Sequence, residues 1–331
     1  MQYYDKVNKF TNLICVLICA CAPKCFGTQV RNLCFKMPLI TFLSDFGDKD
    51  HYIAVVKAKI YSSIPNISIV DISHHVEQYN IAYGAYILNA VFRDFPEKTT
   101  HIVSINSLDR SEDKFISIKL EGHYFIGADN GLFSLISDKK PDIIVELSSP
   151  PLATSPPESE KRGIGETGKR GRQVTDSPIH PFTDSIRDMA ASTAFPEKDI
   201  FAPAAIILAN GGNIRDLGQE IKSMKQMLNR QLKVTKDQLT GQVIHIDSYG
   251  NLVTNIDVNT FEKCRKGRKY EIAFVGETIE NISKVYNQVE GGDCVCLFNS
   301  NALLEIAINK GNASELLGLT YDSVVSVTFY T

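Results

Sequence analysis

Leu39-Ile-Thr-Phe-Leu-Ser-Asp-Phe-Gly-Asp-Lys-Asp-His51 is the stretch that decides the fold. Its first six residues are apolar and β-prone, and they run directly into Asp45-Phe-Gly47, a strand followed at once by a turn. Residues 52–62 then place apolar side chains at helical spacing. The pattern repeats outward: a strand at Ile67-Ser-Ile-Val-Asp71, a helix over about 80–93 and a strand at His101-Ile-Val-Ser-Ile105. Strands alternating with helices of this length predict a mostly parallel sheet covered on both faces. Ligands of such sheets bind beyond the carboxyl ends of the strands, where Ser44-Asp-Phe-Gly-Asp-Lys-Asp-His51 gathers three carboxylates and an imidazole.

Further along, Phe115 to Phe125 reads as a hairpin leading to the turn Gly127-Ala-Asp-Asn-Gly131. Between about 148 and 192 the periodicity stops, with six prolines and the basic cluster Lys161, Arg162, Lys169, Arg170 and Arg172, so this segment reads as a disordered insertion or linker. Its Gly163-Ile-Gly165-Glu-Thr-Gly168 matches the dinucleotide fingerprint formally, but no strand precedes it and no amphipathic helix follows. A helix over about 199–210 closes the first domain, taken as 37–234. From 235 to 331 the β-type runs 241–247, 268–274, 293–298 and 323–330 succeed one another with few helices, which predicts a small antiparallel β-barrel or sandwich.

The 331 residues suffice for two domains, and 44% hydrophobic with 22% charged residues marks a globular chain. A formal charge of -3 offers no broad attraction to nucleic acid or anionic membrane, and neither is expected as a partner. Five of the eight cysteines fall in the first 34 residues, too unevenly for a disulfide framework and without the second pair a zinc site needs. The apolar run Leu13 to Ala22 is too short to span a bilayer. Residues 1–36 read either as a leader ending near Cys21 or as an extension upstream of a start at Met37; the second reading makes the protein cytoplasmic, the first exported.

The acidic segment admits several chemistries. A calcium loop counted from Asp45 would need an acid at its twelfth position, which is Val56. A carboxylate accepting both hydroxyls of a ribose is a second reading, with bonds of about 1.5–3 kcal/mol each when shielded. Simple helix capping by Asp45 is a third. His74 and His75, closing the second strand, could act as base or ligand, or as strand-end histidines satisfied by backbone. Tyr249-Gly-Asn-Leu-Val-Thr-Asn255 offers an aromatic face and amide edges suited to adenine, but a plain β-turn has the same composition.

Taken in order, Ser44-Asp-Phe-Gly47 with Asp50, Ile69-Val-Asp-Ile-Ser-His74, Gly127-Ala-Asp-Asn-Gly131, Asp199-Ile-Phe-Ala-Pro203, Tyr249-Gly-Asn-Leu-Val-Thr-Asn255 and Ser300-Asn-Ala-Leu-Leu-Glu-Ile-Ala-Ile-Asn309 resemble the adenosine-forming S-adenosylmethionine hydrolases and their fluorinase and chlorinase relatives. The resemblance runs from Leu39 to about Val327, outside the insertion. It implies S-adenosylmethionine as substrate, no cofactor or metal, and a homotrimer with each site between the first domain of one subunit and the barrel of its neighbour. By that resemblance Asp45 holds the ribose diol and Asp50 lies near the methionine amine. Tyr79, Phe195, Tyr249 and Tyr286 pack against the ligand, where aromatic faces also favour the sulfonium. Asn251 reads the adenine edge, and Ser300, Asn301 and Asn309 complete the binding set, with Asn301 where the halogenases carry an arginine.

The same resemblance implies attack on the ribose C5′ by water or halide with methionine leaving, in a site that excludes bulk water. Here the chain departs from the pattern. The aspartate that activates water is replaced by Asn106, the arginine slot falls at Asp113 or Lys114, and Pro196 stands at the histidine position. Asn106 cannot take a proton but can orient a water. Glu197 is the nearest carboxylate available as a base, so Asn106, Lys114 and Glu197 are the catalytic candidates. The halogenase pattern of a tyrosine and a serine in the Asn106 and Glu197 slots is also missing. Hydrolysis, halide transfer and ligand sensing without turnover all stay open.

Overall fold

The computed structural model describes residues 38–108, 114–147, 193–228 and 231–330. The expectations for residues 1–36, for Asp113 and for the 148–192 insertion lie outside these.

Seven strands build the first sheet: β1 (Leu39–Ser44), β2 (Ser68–Ser73), β3 (Thr100–Ser104), β4 (Phe115–Leu120), β5 (His123–Ala128), β6 (Ile143–Leu147) and β7 (Gly218–Glu220), in the order β2-β1-β3-β5-β4-β6-β7. β2, β1, β3 and β5 are parallel, whereas β4, β6 and β7 extend the sheet antiparallel. β1 and β3 are buried along nearly their whole length, which explains the mainly apolar β1, while Thr100, His101 and Ser104 of β3 are polar and buried. One face is covered by α1 (Tyr52–Ser63) and α3 (Ala202–Ala209), whose Val56, Ile60, Ala204 and Ala205 share a core with Ile40, Phe42 and Ile102. The other is covered by α2 (Ile81–Val91), where Ala85 and Leu88 meet Leu43, Val103 and Ile105. Asn80 caps α2 by accepting from the Tyr83 N–H at 3.0 Å. Gly84 lets that helix approach β3, since a Cβ there would stand 2.9 Å from Ile105 Cγ1.

The second sheet has nine strands: β8 (Lys233–Val234), β9 (Gln238–Ile246), β10 (Leu252–Asp257), β11 (Lys269–Phe274), β12 (Glu277–Ile279), β13 (Ile282–Ser283), β14 (Cys294–Phe298), β15 (Leu303–Ile308) and β16 (Val324–Tyr330). All pairs except β13 with β14 are antiparallel. The sheet surrounds one core of Leu239, Val243, Ile256, Phe261, Ile306 and Val327. Helices α4 (Val258–Arg265) and α5 (Ala313–Leu317) are capped by Asp257 and Asn312.

Two local expectations change. The helix expected over 199–210 starts earlier, as a π-turn at Glu197–Phe201 that runs into α3. The stretch 249–255 is a turn only to Asn251, and β10 follows at once. Its polar Thr254 is buried in the sheet because its hydroxyl donates to Leu304 O at 2.9 Å, a bond that sequence periodicity does not reveal.

Candidate functional site

The carboxyl ends of β1 and β3 open into a cleft of about 380 Å³ lined by Asp45, Phe46, Asp50, Tyr79, Asn106, Ser107, Phe195 and Glu197, among others. Asp45 is fixed by backbone. Its N–H donates to Ser104 O at 3.2 Å, and its Oδ2 accepts the N–H of Tyr79 at 3.1 Å and of Asn106 at 3.2 Å. Both donors adopt the left-handed conformation, with φ 64 at Tyr79 and φ 47 at Asn106. Such backbone costs of order 1–3 kcal/mol per residue and persists where the surroundings impose it. Asn130 imposes it on one side, donating from Nδ2 to Ile105 O at 2.8 Å and to Asn106 O at 3.3 Å. Capping of α1 by Asp45 is not what the carboxylate does, since the cap position of that helix is His51.

Glu197 enters from the π-turn, a helix irregularity frequent at functional sites. It is 2% exposed, and its Oε1 accepts the Ser104 hydroxyl at 2.5 Å. Burial pushes its carboxyl above the usual carboxylate range, with the neighbouring Asp45 charge adding to the effect against the pull of the serine hydroxyls. Phe195 stands beside Phe46 and Tyr52 with ring centroids 6.2 and 5.5 Å apart, forming an aromatic wall. Tyr79, 71% exposed, also lines the cleft.

His74 is held inside the fold. Its Nδ1 shares a hydrogen bond of 2.7 Å with Ser44 Oγ, its Nε2 stands 3.1 Å from Asp71 Oδ1, and burial lowers its pKa. Its carbonyl accepts the Gly47 N–H at 2.7 Å, which ties the turn after β1 to the end of β2. The described residues contain no group of three or more His, Cys, Asp or Glu placed to hold a metal ion.

The remaining binding candidates gather on the second sheet, in two cavities that share Asp247 and Tyr286. The larger, about 650 Å³, is lined by Tyr249, Asn251, Tyr286 and Asn309. Asp247 organises it: Oδ1 accepts the N–H groups of Tyr249 and Asn251, each at 2.9 Å, and Oδ2 accepts Asn251 Nδ2 at 2.9 Å. The Asn251 amide nitrogen is therefore engaged. Gly250 makes the turn possible at φ 83, where a Cβ would overlap Asn312 Oδ1. Gly250→Ala is accordingly expected to destabilise the fold by about 2 kcal/mol or more, read as a lower denaturation midpoint; an unchanged midpoint would remove this account of the turn.

The second cavity, about 470 Å³, is lined by Ser300, Asn301, Tyr86, His245 and Glu305, among others. Glu305 accepts from Tyr286 Oη at 2.6 Å and from Asn299 Nδ2 at 3.1 Å, and burial together with that carboxylate raises the Tyr286 pKa. His245 is stacked between Tyr83 and Tyr86 with centroids 4.7 and 4.6 Å away, which joins α2 to β9.

Thus Asp45, Asp50, Tyr79, Asn106, Phe195 and Glu197 share one cleft, and Tyr249, Asn251, Tyr286, Ser300, Asn301 and Asn309 line the other two. The first cleft shares no lining residue with the others. Lys114 lines none of the three: at the start of β4 its Nζ pairs with Glu146 Oε2 at 2.8 Å. Sequence reasoning missed Ser104, Ser107, Asp247, His245 and Glu305. A polar residue inside a strand signalled Ser104, His245 and Glu305, whereas Ser107 and Asp247 lie just past strand ends.

Two domain profiles match this chain: SAM hydroxide adenosyltransferase N-terminal domain over residues 40–163 and SAM hydroxide adenosyltransferase C-terminal domain over residues 241–326. The chain belongs to the SAM hydroxide adenosyltransferase family. Among relatives, an (R)-S-adenosyl-L-methionine hydrolase of Methanocaldococcus jannaschii is 28% identical over 309 residues, covering 88% of this chain and 97% of its own length. One of Thermus thermophilus with the same name is 28% identical over 280 residues, covering 85% and 95%. A fluorinase of an Actinoplanes species is 21% identical over 323 residues, covering 88% and 97%. The crystal structure of an uncharacterized conserved protein from Thermotoga maritima superposes with a TM-score of 0.70 at 25% identity, covering 87% of this chain and 99% of that one. The profiles bracket the site: the Asp45 cleft draws its strand ends from the N-terminal match, and Tyr249 to Asn309 lie within the C-terminal one.

Proposed function

We propose that this chain hydrolyses S-adenosylmethionine to adenosine and methionine by attack of water on the ribose C5′. The observation that carries the reading is the Asp45 carboxylate, held by two backbone N–H groups through one oxygen, with the buried carboxyl of Glu197 in the same cleft. A fixed carboxylate suits a ribose diol, and a carboxyl whose pKa is raised by burial is the better proton acceptor near neutral pH. The names of the two relatives at 28% identity support hydrolysis. Asn106 then orients the attacking water while Glu197 receives its proton. Phe195 and Tyr79 flank the ligand, and their π-faces favour the sulfonium charge.

The purine and amino-acid ends are assigned to the cavities around Tyr249, Asn251, Tyr286, Ser300, Asn301 and Asn309, which supply aromatic faces and amide edges. Separation of these from the Asp45 cleft supports a homotrimer whose sites form between subunits. Exposure of Tyr79 and of Tyr249, at 78%, fits surfaces covered on assembly. No helix among the described residues is long and apolar enough to cross a membrane. The free thiols of Cys264, Cys294 and Cys296 fit a cytoplasmic location.

Incubation of the chain with S-adenosylmethionine, with and without chloride, followed by chromatography, tests the proposal. Adenosine with methionine is the expected result; chlorodeoxyadenosine would make it a halide-dependent enzyme, and tight binding without product a sensor. Glu197→Gln is expected to lower kcat by about a hundredfold or more and to remove the rise of rate with pH that a titrating base produces. Unchanged turnover in that variant would discard Glu197 as the base.

A further inference from the structure

Glu197 lines the cleft together with Ser104 and Ser107 yet is almost wholly buried, and both serine hydroxyls act on its carboxyl. Ser104 Oγ donates to Glu197 Oε1 at 2.5 Å and lies 3.2 Å from Ser107 Oγ. The three residues are 1%, 2% and 9% exposed for Ser104, Glu197 and Ser107 respectively, so Ser107 is the outermost. Ser107 follows Asn106 directly and lines the cleft with it. Asp45 is anchored by the Tyr79 and Asn106 N–H groups through Oδ2, and its other oxygen is the one the reading above gives to the ribose diol.

We propose that Ser107 and Ser104 form a two-hydroxyl relay that carries the proton of the attacking water from the cleft to Glu197. The inference rests on the hydrolase reading above and identifies how its base is reached. As the water oxygen bonds to C5′, the C5′–S bond breaks and its electron pair returns to sulfur, leaving methionine as a neutral thioether. The water proton passes to Ser107 Oγ, the Ser107 proton to Ser104 Oγ, and the Ser104 proton to Glu197 Oε1. Glu197 ends the turnover as a neutral carboxylic acid and returns its proton to solvent before the next one. Ser107 is then the group that touches the nucleophile, and Ser104 a positioning residue that acts through Glu197. Burial favours the neutral carboxyl, so the proton's destination is stabilised by the same desolvation that hides it from water.

Two buried hydroxyls could instead do no more than satisfy the carboxyl, and kinetics separates the two roles. Ser107→Ala is expected to lower kcat by about ten- to a hundredfold while the calorimetric Kd for S-adenosylmethionine changes by less than about twofold. Ser107→Thr, which keeps a hydroxyl at the same position, is expected to recover kcat to within about threefold of the parent. The solvent deuterium isotope effect on kcat in single turnovers is expected to fit more than one transferred proton in the parent and fewer in Ser107→Ala. A Ser107→Ala enzyme within about twofold of parental kcat, or a Ser107→Thr enzyme as slow as it, overturns the relay while leaving hydrolysis intact. Absence of adenosine from the parent itself overturns the hydrolase reading, and the relay with it.

Discussion

Replacing Asp45 with alanine is expected to weaken S-adenosylmethionine binding by about 10²- to 10⁴-fold. Each charge-assisted bond from a shielded carboxylate to a ribose hydroxyl contributes about 1.5–3 kcal/mol, and two are lost together, at about 1.4 kcal/mol per tenfold in affinity. The substitution also strips the acceptor from the N–H groups of Tyr79 and Asn106, whose left-handed backbones are arranged around it. Asp45→Asn separates the contributions, because an amide oxygen can still accept both N–H groups but carries no charge. Isothermal calorimetry decides the matter. A Kd for Asp45→Ala within about threefold of the parent would remove Asp45 from the binding site, whatever happened to turnover.

The second large effect concerns acid. His101 is fully buried between Phe92, Phe95 and Phe125, sharing a hydrogen bond of 2.7 Å with Thr41 Oγ1, and burial with the nearby His123 lowers its pKa to about 3. His245, between Tyr83 and Tyr86, is lowered to about 4 by burial against a weaker opposing pull from Asp247. Above the ordinary histidine value of 6.5 both are neutral whether the chain is folded or not, and their contribution is complete. As pH falls below that value the unfolded chain takes up protons that the folded chain refuses, so stability drops until the folded values are passed. Each histidine accounts for a loss on the order of 3 kcal/mol. Glu121, held down to about 2 by Arg93, Lys139 and Ser137 against burial, begins to lose its contribution only below its own ordinary value of 4.5. Glu197 has the opposite sign, since a raised carboxyl contributes below that value and loses its contribution as pH rises. Denaturant unfolding at pH 7.5 and 4.5 is therefore expected to show a fall of several kcal/mol, reduced in His245→Phe, which keeps the stacked ring and removes the titration. The same fall in both proteins would argue against the His245 contribution.

Much of the first domain was legible because its burial is two-sided. Leu39–Ser44 is a mainly apolar run that a covered sheet explains, Ile102 and Val103 carry the signal in β3, and the turn after each strand puts Asp45 and Asn106 in one cleft. The second sheet was legible where strands alternate, as in Gln238–Ile246, and illegible at β10 and β15, whose Thr254 and Glu305 are buried only because distant groups bond them. His245 occupies the inward phase of β9 with Leu239, Gly241 and Val243, so alternation placed it inside, but nothing local named the two tyrosines that hold it. Lys114 was assigned by its place in a motif, and its pairing with Glu146 on β6 is a strand-to-strand contact that spacing does not encode. Ser104 escaped notice because a serine in a strand is ordinary until its partner is known, Ser107 because it lies past the end of β3, and Glu197 lies 93 residues away from Ser104.

The way Asp45 is gripped also bears on how this pocket can change over time. Its two fixed partners are main-chain N–H groups at positions 79 and 106, so the side chains at those positions take no part in holding the carboxylate proposed to bind the diol. Mutation at position 106 is thus decoupled from ligand capture as long as the new residue tolerates positive φ, which asparagine, aspartate and glycine do most readily. A lineage built this way can exchange the group that faces the nucleophile without first losing its substrate. Asn106→Asp, one such exchange, is expected to leave the main-chain hold on Asp45 in place while placing a further carboxylate where the proposed water enters.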